Sequence, residues 1–273
     1  MLDVAPTPRN LFSFSRVKTF HQCRLRYRYR YLKGLRESFR SIESYLGNVV
    51  HDVLQWLYEQ RLDGASPNLP ATLEEFADRW SGSWTDQVAI IRLSETADGS
   101  YRTGREMLEG FHRRIFQRDR SHTLALEQRY SVRLSPDVVF TGFADRVGRT
   151  ERGRLFVVDY KTSRTEGDES EFSEGLQAPL YAACALDRHG EAEALAGYHY
   201  LRPGRTRWQP VDRHRAHRLL QRFLDLAEQA NAAAEFPASP GILCAWCGFN
   251  HLCPSARVPD DLSGGLQHAL RRS

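Results

Sequence analysis

The feature that most restricts how this 273-residue chain can fold is the run Leu155-Phe156-Val157-Val158-Asp159-Tyr160, closed by Lys161. A continuous apolar run of that length reads as a strand covered on both faces, which demands a layer of structure on each side of it. Its neighbours supply the rest of a sheet. Leu124–Leu134 includes an alternating stretch, Ser135-Pro136-Asp137 makes a turn, and Val138–Val147 is a further strand candidate. Glu151-Arg152-Gly153 then turns into the apolar run. A polar loop over Thr162–Glu171, a helix near Phe172–Leu186, a strand over Leu195–Leu201 and a long helix over Val211–Glu235 follow.

The first 120 residues are mainly helical by pattern. Met1–Asn10 reads as loose, a helix begins at Ser13, and Val50, Val53, Leu54 and Leu57 mark another over Gly47–Leu62. Pro67 and Pro70 break it, Thr72-Leu73-Glu74-Glu75 resembles a capping-box start, and a further helix fits Tyr101–Arg118. Three strands, a helix and another strand, wrapped by helices, predict one α/β domain.

Composition excludes several classes. With 41% hydrophobic and 26% charged residues, the chain is neither fibrous nor wholly disordered. It has no apolar run of about 18 residues, so no transmembrane helix is expected. An arginine-dense start without an apolar h-region speaks against a secretory signal. The expectation is a cytoplasmic protein whose cysteines are reduced or metal-bound. Lys18, Lys33 and Lys161 are the only lysines, and the absence of any Gly-Lys-Ser/Thr excludes a Walker A loop.

One of those lysines stands in a chemical constellation. Gly142-Phe-Ala-Asp145 and Asp159-Tyr160-Lys161 sit at the ends of two adjacent strand candidates. Asp159 and Lys161, two apart on a strand, project together, and a hairpin brings Asp145 beside them. Converging carboxylates repel unless a cation lies between them, and hard oxygen ligands suit Mg²⁺ or Mn²⁺. The competing explanation is a simple strand-end ion pair. His51, on an apolar-faced helix, and Gln177 with Tyr181, four apart on another, add polar groups aimed at neighbours.

The order His51, Gly142-x-x-Asp145, Asp159-Tyr160-Lys161-Thr162 and Gln177-x-x-x-Tyr181 resembles the RecB-like branch of the PD-(D/E)XK nuclease superfamily. The resemblance implies a restriction-endonuclease-like core, a central mixed sheet of αβββαβ order wrapped by helices. It also implies metal ligation by His51, Asp145, Asp159 and the Tyr160 carbonyl, catalysis by Lys161, and positioning by Gln177 and Tyr181. Glu127 falls where many relatives carry a supporting acid. Residues 1–258 would form one nuclease domain: a helical part over 11–120, a catalytic core over 121–210 and a cysteine-rich closure over 211–258. Residues 259–273 would be a flexible tail.

Four cysteines form a second constellation. Cys23 stands alone, whereas Cys244-x2-Cys247-x5-Cys253 closes the chain, and Cys184 is expected to pack as a small hydrophobe. Spacing alone suits either a [4Fe–4S] cluster or zinc, with His251 available to a mixed zinc site. The one-plus-three arrangement resembles the iron–sulfur staple of AddB-type and CRISPR-adaptation nucleases, which implies a cluster joining the N- and C-terminal segments.

Residues 1–40 carry ten Arg and Lys against two acids. Around Cys23, Arg24, Arg26, Arg28, Arg30, Lys33 and Arg36 alternate with Tyr27, Tyr29 and Tyr31, a pattern suited to single-stranded nucleic acid or to a solvated face. The expected function is a Mg²⁺- or Mn²⁺-dependent deoxyribonuclease. Its expected substrate is single-stranded DNA or DNA ends, as an exonuclease in repair or recombination, with a helicase or repair protein as partner. Three alternatives stand beside it: a weakly active nucleic-acid-binding subunit of such a complex, a CRISPR-adaptation nuclease, and a zinc-stapled interaction protein.

Overall fold

The computed structural model describes residues 10–163 and 175–256. The expected loose start before Asn10, most of the polar loop, residues 172–174 and the tail from 259 lie outside the described residues. Strand β1 (Leu11–Phe12) leads into α1 (Phe14–Gln22), capped by Ser13, whose side chain accepts from the Arg16 amide. Helix α2 (Arg24–Tyr27) continues as a π-helical turn over Arg28–Leu32. After β2 (Arg40–Ser41), α3 (Ile42–Leu62) starts five residues earlier than its apolar spacing suggests, because Ser41 caps it.

Helix α4 (Leu69–Gly82) corrects the capping-box expectation at Thr72. Asn68 is the true cap, accepting from the Ala71 amide, and Pro70 sits in the first turn, where a missing N–H costs nothing. Beyond β3 (Val88–Ala89), α5 (Ala97–Arg114) is shifted toward the N-terminus by the Thr96 cap, and a 3₁₀ turn takes Phe116–Arg118.

The central sheet is built from β4 (His122–Ser135), β5 (Val138–Arg149) and β6 (Leu155–Lys161). It continues, after α6 (Gln177–His189), with β7 (Glu193–Tyr200) and β8 (Arg205–Asp212). Helix α7 (Arg213–Ala232) follows. Strand β8 corrects the reading of Val211–Glu235 as one helix: Asp212 ends the strand and caps α7 through the Arg215 amide. Its sequence Arg205-Thr-Arg-Trp-Gln-Pro-Val hides a strand behind polar residues, and Pro210 is tolerated because β8 is an edge.

The sheet is mixed: β5 pairs antiparallel with β4 and β6, β6 is parallel to β7, β7 antiparallel to β8, and β1 adds a parallel edge beside the start of β5. Two apolar layers cover it. Helices α6 and α7 pack Leu180, Ala182, Phe223 and Ala227 against Phe140, Val147 and Val157, while α3, α4 and α5 pack Val50, Phe76 and Leu108 near Phe156, Val158 and Tyr160. The β6 run is therefore buried on both faces, as its composition requires.

His199 on β7 is buried, with Nδ1 2.6 Å from the Thr206 hydroxyl and Nε2 without a hydrogen-bond partner. Burial, helped by the charge of Arg114, pulls its pKa down to about 4. Because the folded pKa is depressed, the unfolded chain takes up this proton first as pH falls, so stability present above about pH 6.5 is lost toward pH 4. His199→Gln should flatten this part of the stability-against-pH curve, as urea titrations at pH 7 and pH 4.5 would measure.

Candidate active site

The site forms where two paired strands part. Strands β5 and β6 pair from Arg149↔Leu155 to Arg146↔Val158, and beyond that β6 continues only on β7, through Lys161↔Tyr200. Asp145 is the first β5 residue past the last pair. Its Oδ2 accepts from the Tyr160 amide at 2.7 Å, so a side chain takes over where the ladder stops. Asp159 and Lys161 project into the same opening, and their ion pair is 2.6 Å long. Lys161 Nζ also donates to Gln177 Oε1 at 2.8 Å, which fixes the ammonium between strand and helix.

His51 of α3 closes the opening from the helical side, its Nδ1 3.4 Å from Asp145 Oδ2. Tyr181 lies one turn beyond Gln177 on α6, with its ring against Gly142. A Cβ at Gly142 would lie 2.7 Å from the Tyr181 hydroxyl, so glycine is required there for the ring to reach the opening. His51, Asp145, Glu127, Gly142 and Tyr181 line one polar cavity of about 650 Å³.

Electrostatics follow from burial. Asp145 is pushed well above the ordinary carboxylate range, first by burial and then by the charge of Asp159, and the Tyr160 amide relieves only part of this. For Lys161, burial alone would lower the pKa, but Asp159 outweighs it and the ammonium is held more firmly than usual. Burial lowers the His51 pKa, with Lys161 adding to the effect, so its ring is neutral at pH 7 and carries a free lone pair. Burial pushes the Tyr181 phenol up, aided by Asp159 and Asp145, and it stays protonated.

These groups fit a divalent cation in one respect and resist it in another. Asp145 is a carboxylate short of positive charge, and Asp159 Oδ2 is buried and receives no well-aligned hydrogen bond. Yet Lys161 already occupies Asp159, and among the described residues no group of three or more His, Cys, Asp or Glu converges on a single-ion position. Asp145 and His51 meet; Asp159 is turned toward the lysine.

A profile of the PD-(D/E)XK nuclease superfamily matches residues 11–254. The chain belongs to that superfamily. It is also 25% identical over 173 residues to a subunit of the ATP-dependent helicase/deoxyribonuclease of Streptococcus uberis, covering 62% of this chain and 15% of that protein. The corresponding protein of Streptococcus agalactiae serotype Ia is 26% identical over 189 residues, with coverage of 66% and 17%. The matches thus span less than a fifth of those curated relatives. Among solved structures, SSO0001 is 15% identical with a TM-score of 0.35, covering 82% of this chain and 89% of its own.

Glu127, expected as a supporting acid, has a second carboxylate, Asp52, beside it in space. Glu127 sits between the pairs Leu126↔Arg146 and Gln128↔Ala144 with φ +45°, a left-handed conformation that an ordinary strand residue avoids. Burial raises its pKa, with Asp52 and Asp159 adding to the shift. A backbone conformation leaves no trace in residue type, and Asp52 is signalled only by its adjacency to His51.

Cys23, Cys244, Cys247 and Cys253 line the walls of one cavity of about 270 Å³. Protein contacts already join the two ends around it: Leu25 N donates to Pro237 O, Ser38 N to Gly248 O, and Trp246 Nε1 to Glu43. A joining metal cluster does not appear as a converged ligand set among the described residues. Cys184 packs in the core, as expected, and burial pushes its thiol up to about 12.

Part of the aromatic content of the basic segment is used in packing, as helical geometry requires. Tyr27 is buried and stacks on Phe236, and Tyr29 donates to Leu252 O. Arg26 pairs with Glu37 at 2.7 Å, while Arg24, Arg28, Lys33 and Arg36 remain exposed.

Gly142→Ala should displace Tyr181 and cost about 1–3 kcal/mol of unfolding free energy in urea titrations.

Proposed function

We propose that this chain is a metal-dependent deoxyribonuclease acting on single-stranded DNA or on DNA ends, in repair or recombination. The observation that carries the reading is the opening between β5 and β6: Asp145 and a neutral His51 line its cavity, and behind them Asp159 is paired with a Lys161 that Gln177 also holds. The name of the streptococcal relatives supports deoxyribonucleolytic chemistry and a helicase-bearing partner.

In this reading Asp145, Asp159 and His51, with the Tyr160 carbonyl, hold Mg²⁺ or Mn²⁺. Such an ion supplies Lewis acidity and lowers the pKa of bound water. Lys161, fixed by Gln177, presents its ammonium to a non-bridging phosphate oxygen and offsets the charge gained during cleavage. Tyr181 remains a neutral phenol that orients substrate from α6.

For the four cysteines we propose a [4Fe–4S] cluster. Each iron of such a cluster takes one thiolate, and the four cysteines lining this cavity supply four; their one-plus-three order, which resembles the iron–sulfur staple of AddB-type nucleases, favours the cluster over zinc. Joining Cys23 to Cys244 closes a loop of more than 200 residues and constrains the unfolded chain. Anaerobically purified protein should hold about four iron and four sulfide per chain and be brown. Cys23→Ser should lower the iron content and the melting temperature, whereas stoichiometric zinc without iron would refute the cluster.

End-labelled single- and double-stranded DNA should be cut in Mn²⁺ and left intact in EDTA. Lys161→Ala should abolish cleavage while DNA binding persists; cleavage at the unaltered rate would refute its role. Asp145→Asn should likewise lose cleavage but, by relieving repulsion with Asp159, raise the melting temperature of the metal-free protein. Loss of both activity and stability would mean that the acids serve the fold alone.

A further inference from the structure

The opposite face of the sheet carries a second cavity, of about 420 Å³, that the cleavage chemistry leaves unused. Val158 and Tyr160 line it, so alternation along β6 sends Asp159 and Lys161 out of the other face. Trp208 of β8 crosses Gly197, its register partner on β7, and three indole carbons crowd the place a Cβ would take. Phe156 braces the ring edge-on at 5.7 Å. Despite this seating Trp208 is 45% exposed. The glycine lets a large aromatic lie against the strand and turn its remaining surface to the cavity.

The rim is cationic, and the Arg114 guanidinium is seated between Gly110 of α5 and Gly204 of the β7–β8 turn, which fixes its place without neutralising its charge. Arg114 and Arg118 are exposed, and among the described residues neither makes a side-chain hydrogen bond or ion pair. Arg146, deeper in, is fully engaged: it bonds Asp119, Thr123 and Ser121 and stacks 3.6 Å from the Tyr58 centroid. That engagement neutralises Asp119 and leaves Glu151 as the other lining acid. His199 lines the same cavity with its buried, unpartnered Nε2.

We propose that this cavity binds a nucleotide unit, the base stacked on Trp208 and the phosphate held by Arg114 and Arg118. An aromatic ledge and guanidinium groups without acidic partners, lining one cavity, are the combination that base and phosphate together recognise. The volume falls in the range of small-ligand pockets. Such a unit belongs either to a DNA strand running past the catalytic face or to a free nucleotide. Binding here is independent of metal and of cleavage.

Calorimetric titration of the full chain in EDTA tests it, using deoxythymidine monophosphate, thymidine, inorganic phosphate and a short oligodeoxythymidylate. The monophosphate should bind at least tenfold more tightly than thymidine or phosphate alone. Trp208→Ala should weaken binding about tenfold or more, Arg114→Gln by several fold, and Trp208→Phe should restore most of it. Asp145→Asn should bind as the unaltered protein does, which separates this site from the cleavage reading. Tighter binding of the oligonucleotide assigns a strand, and tighter binding of the monophosphate assigns a free nucleotide. Absence of binding, or affinities indifferent to both Trp208→Ala and Arg114→Gln in chains that melt as the unaltered protein does, would overturn the site.

Discussion

The structure turns on a like-charge conflict held at the point where β5 and β6 stop pairing. Asp145 and Asp159 are brought to the same opening, and the protein meets the conflict with few resources: one backbone amide from Tyr160 and one ammonium from Lys161. Burial sharpens the repulsion because little water remains to screen it. A fold seeking stability alone gains nothing from this arrangement. Its persistence is the strongest physical sign that the opening serves chemistry, since strained charge concentrates at functional sites.

Everything around the opening serves to hold it. The apolar β6 run, clamped between α6 on one face and the α3–α5 layer on the other, makes the strand that carries Asp159 rigid. Helix α3 brings His51 from that second layer, and α6 brings Gln177 and Tyr181 from the first. Four separate chain segments thus meet within a few ångströms, and a shift in any one of them changes the electrostatics of the rest. The contacts between the N- and C-terminal segments lie apart from this centre and close the fold around it.

The two faces of the sheet are chemically distinct. One presents carboxylates and a lysine, the other an indole ledge rimmed by arginines, and β6 contributes to both through successive residues. Tyr160 belongs to each: its amide supports Asp145, while its ring lines the second cavity. Matter bound on one face therefore touches the strand that supplies the other.

Residue type and spacing alone dictate the doubly covered strand, its two neighbours, the mainly helical first 120 residues and the pairing of Asp145 with Asp159 and Lys161; His51, Gln177 and Tyr181 join that group only through the family resemblance of their order. Local physics reads such patterns directly. The same patterns misplace the starts of α4 and α5, because Asn68 and Thr96 cap them from outside the apolar spacing. They also miss β8, whose edge position lets polar residues and a proline stand in a strand. Three-dimensional packing settles the rest: Tyr27 packs inward, Glu127 turns left-handed, Asp159 faces Lys161, and Trp208 lies on Gly197. Each depends on residues far apart in the chain competing for one space, and no local pattern encodes the outcome of that competition.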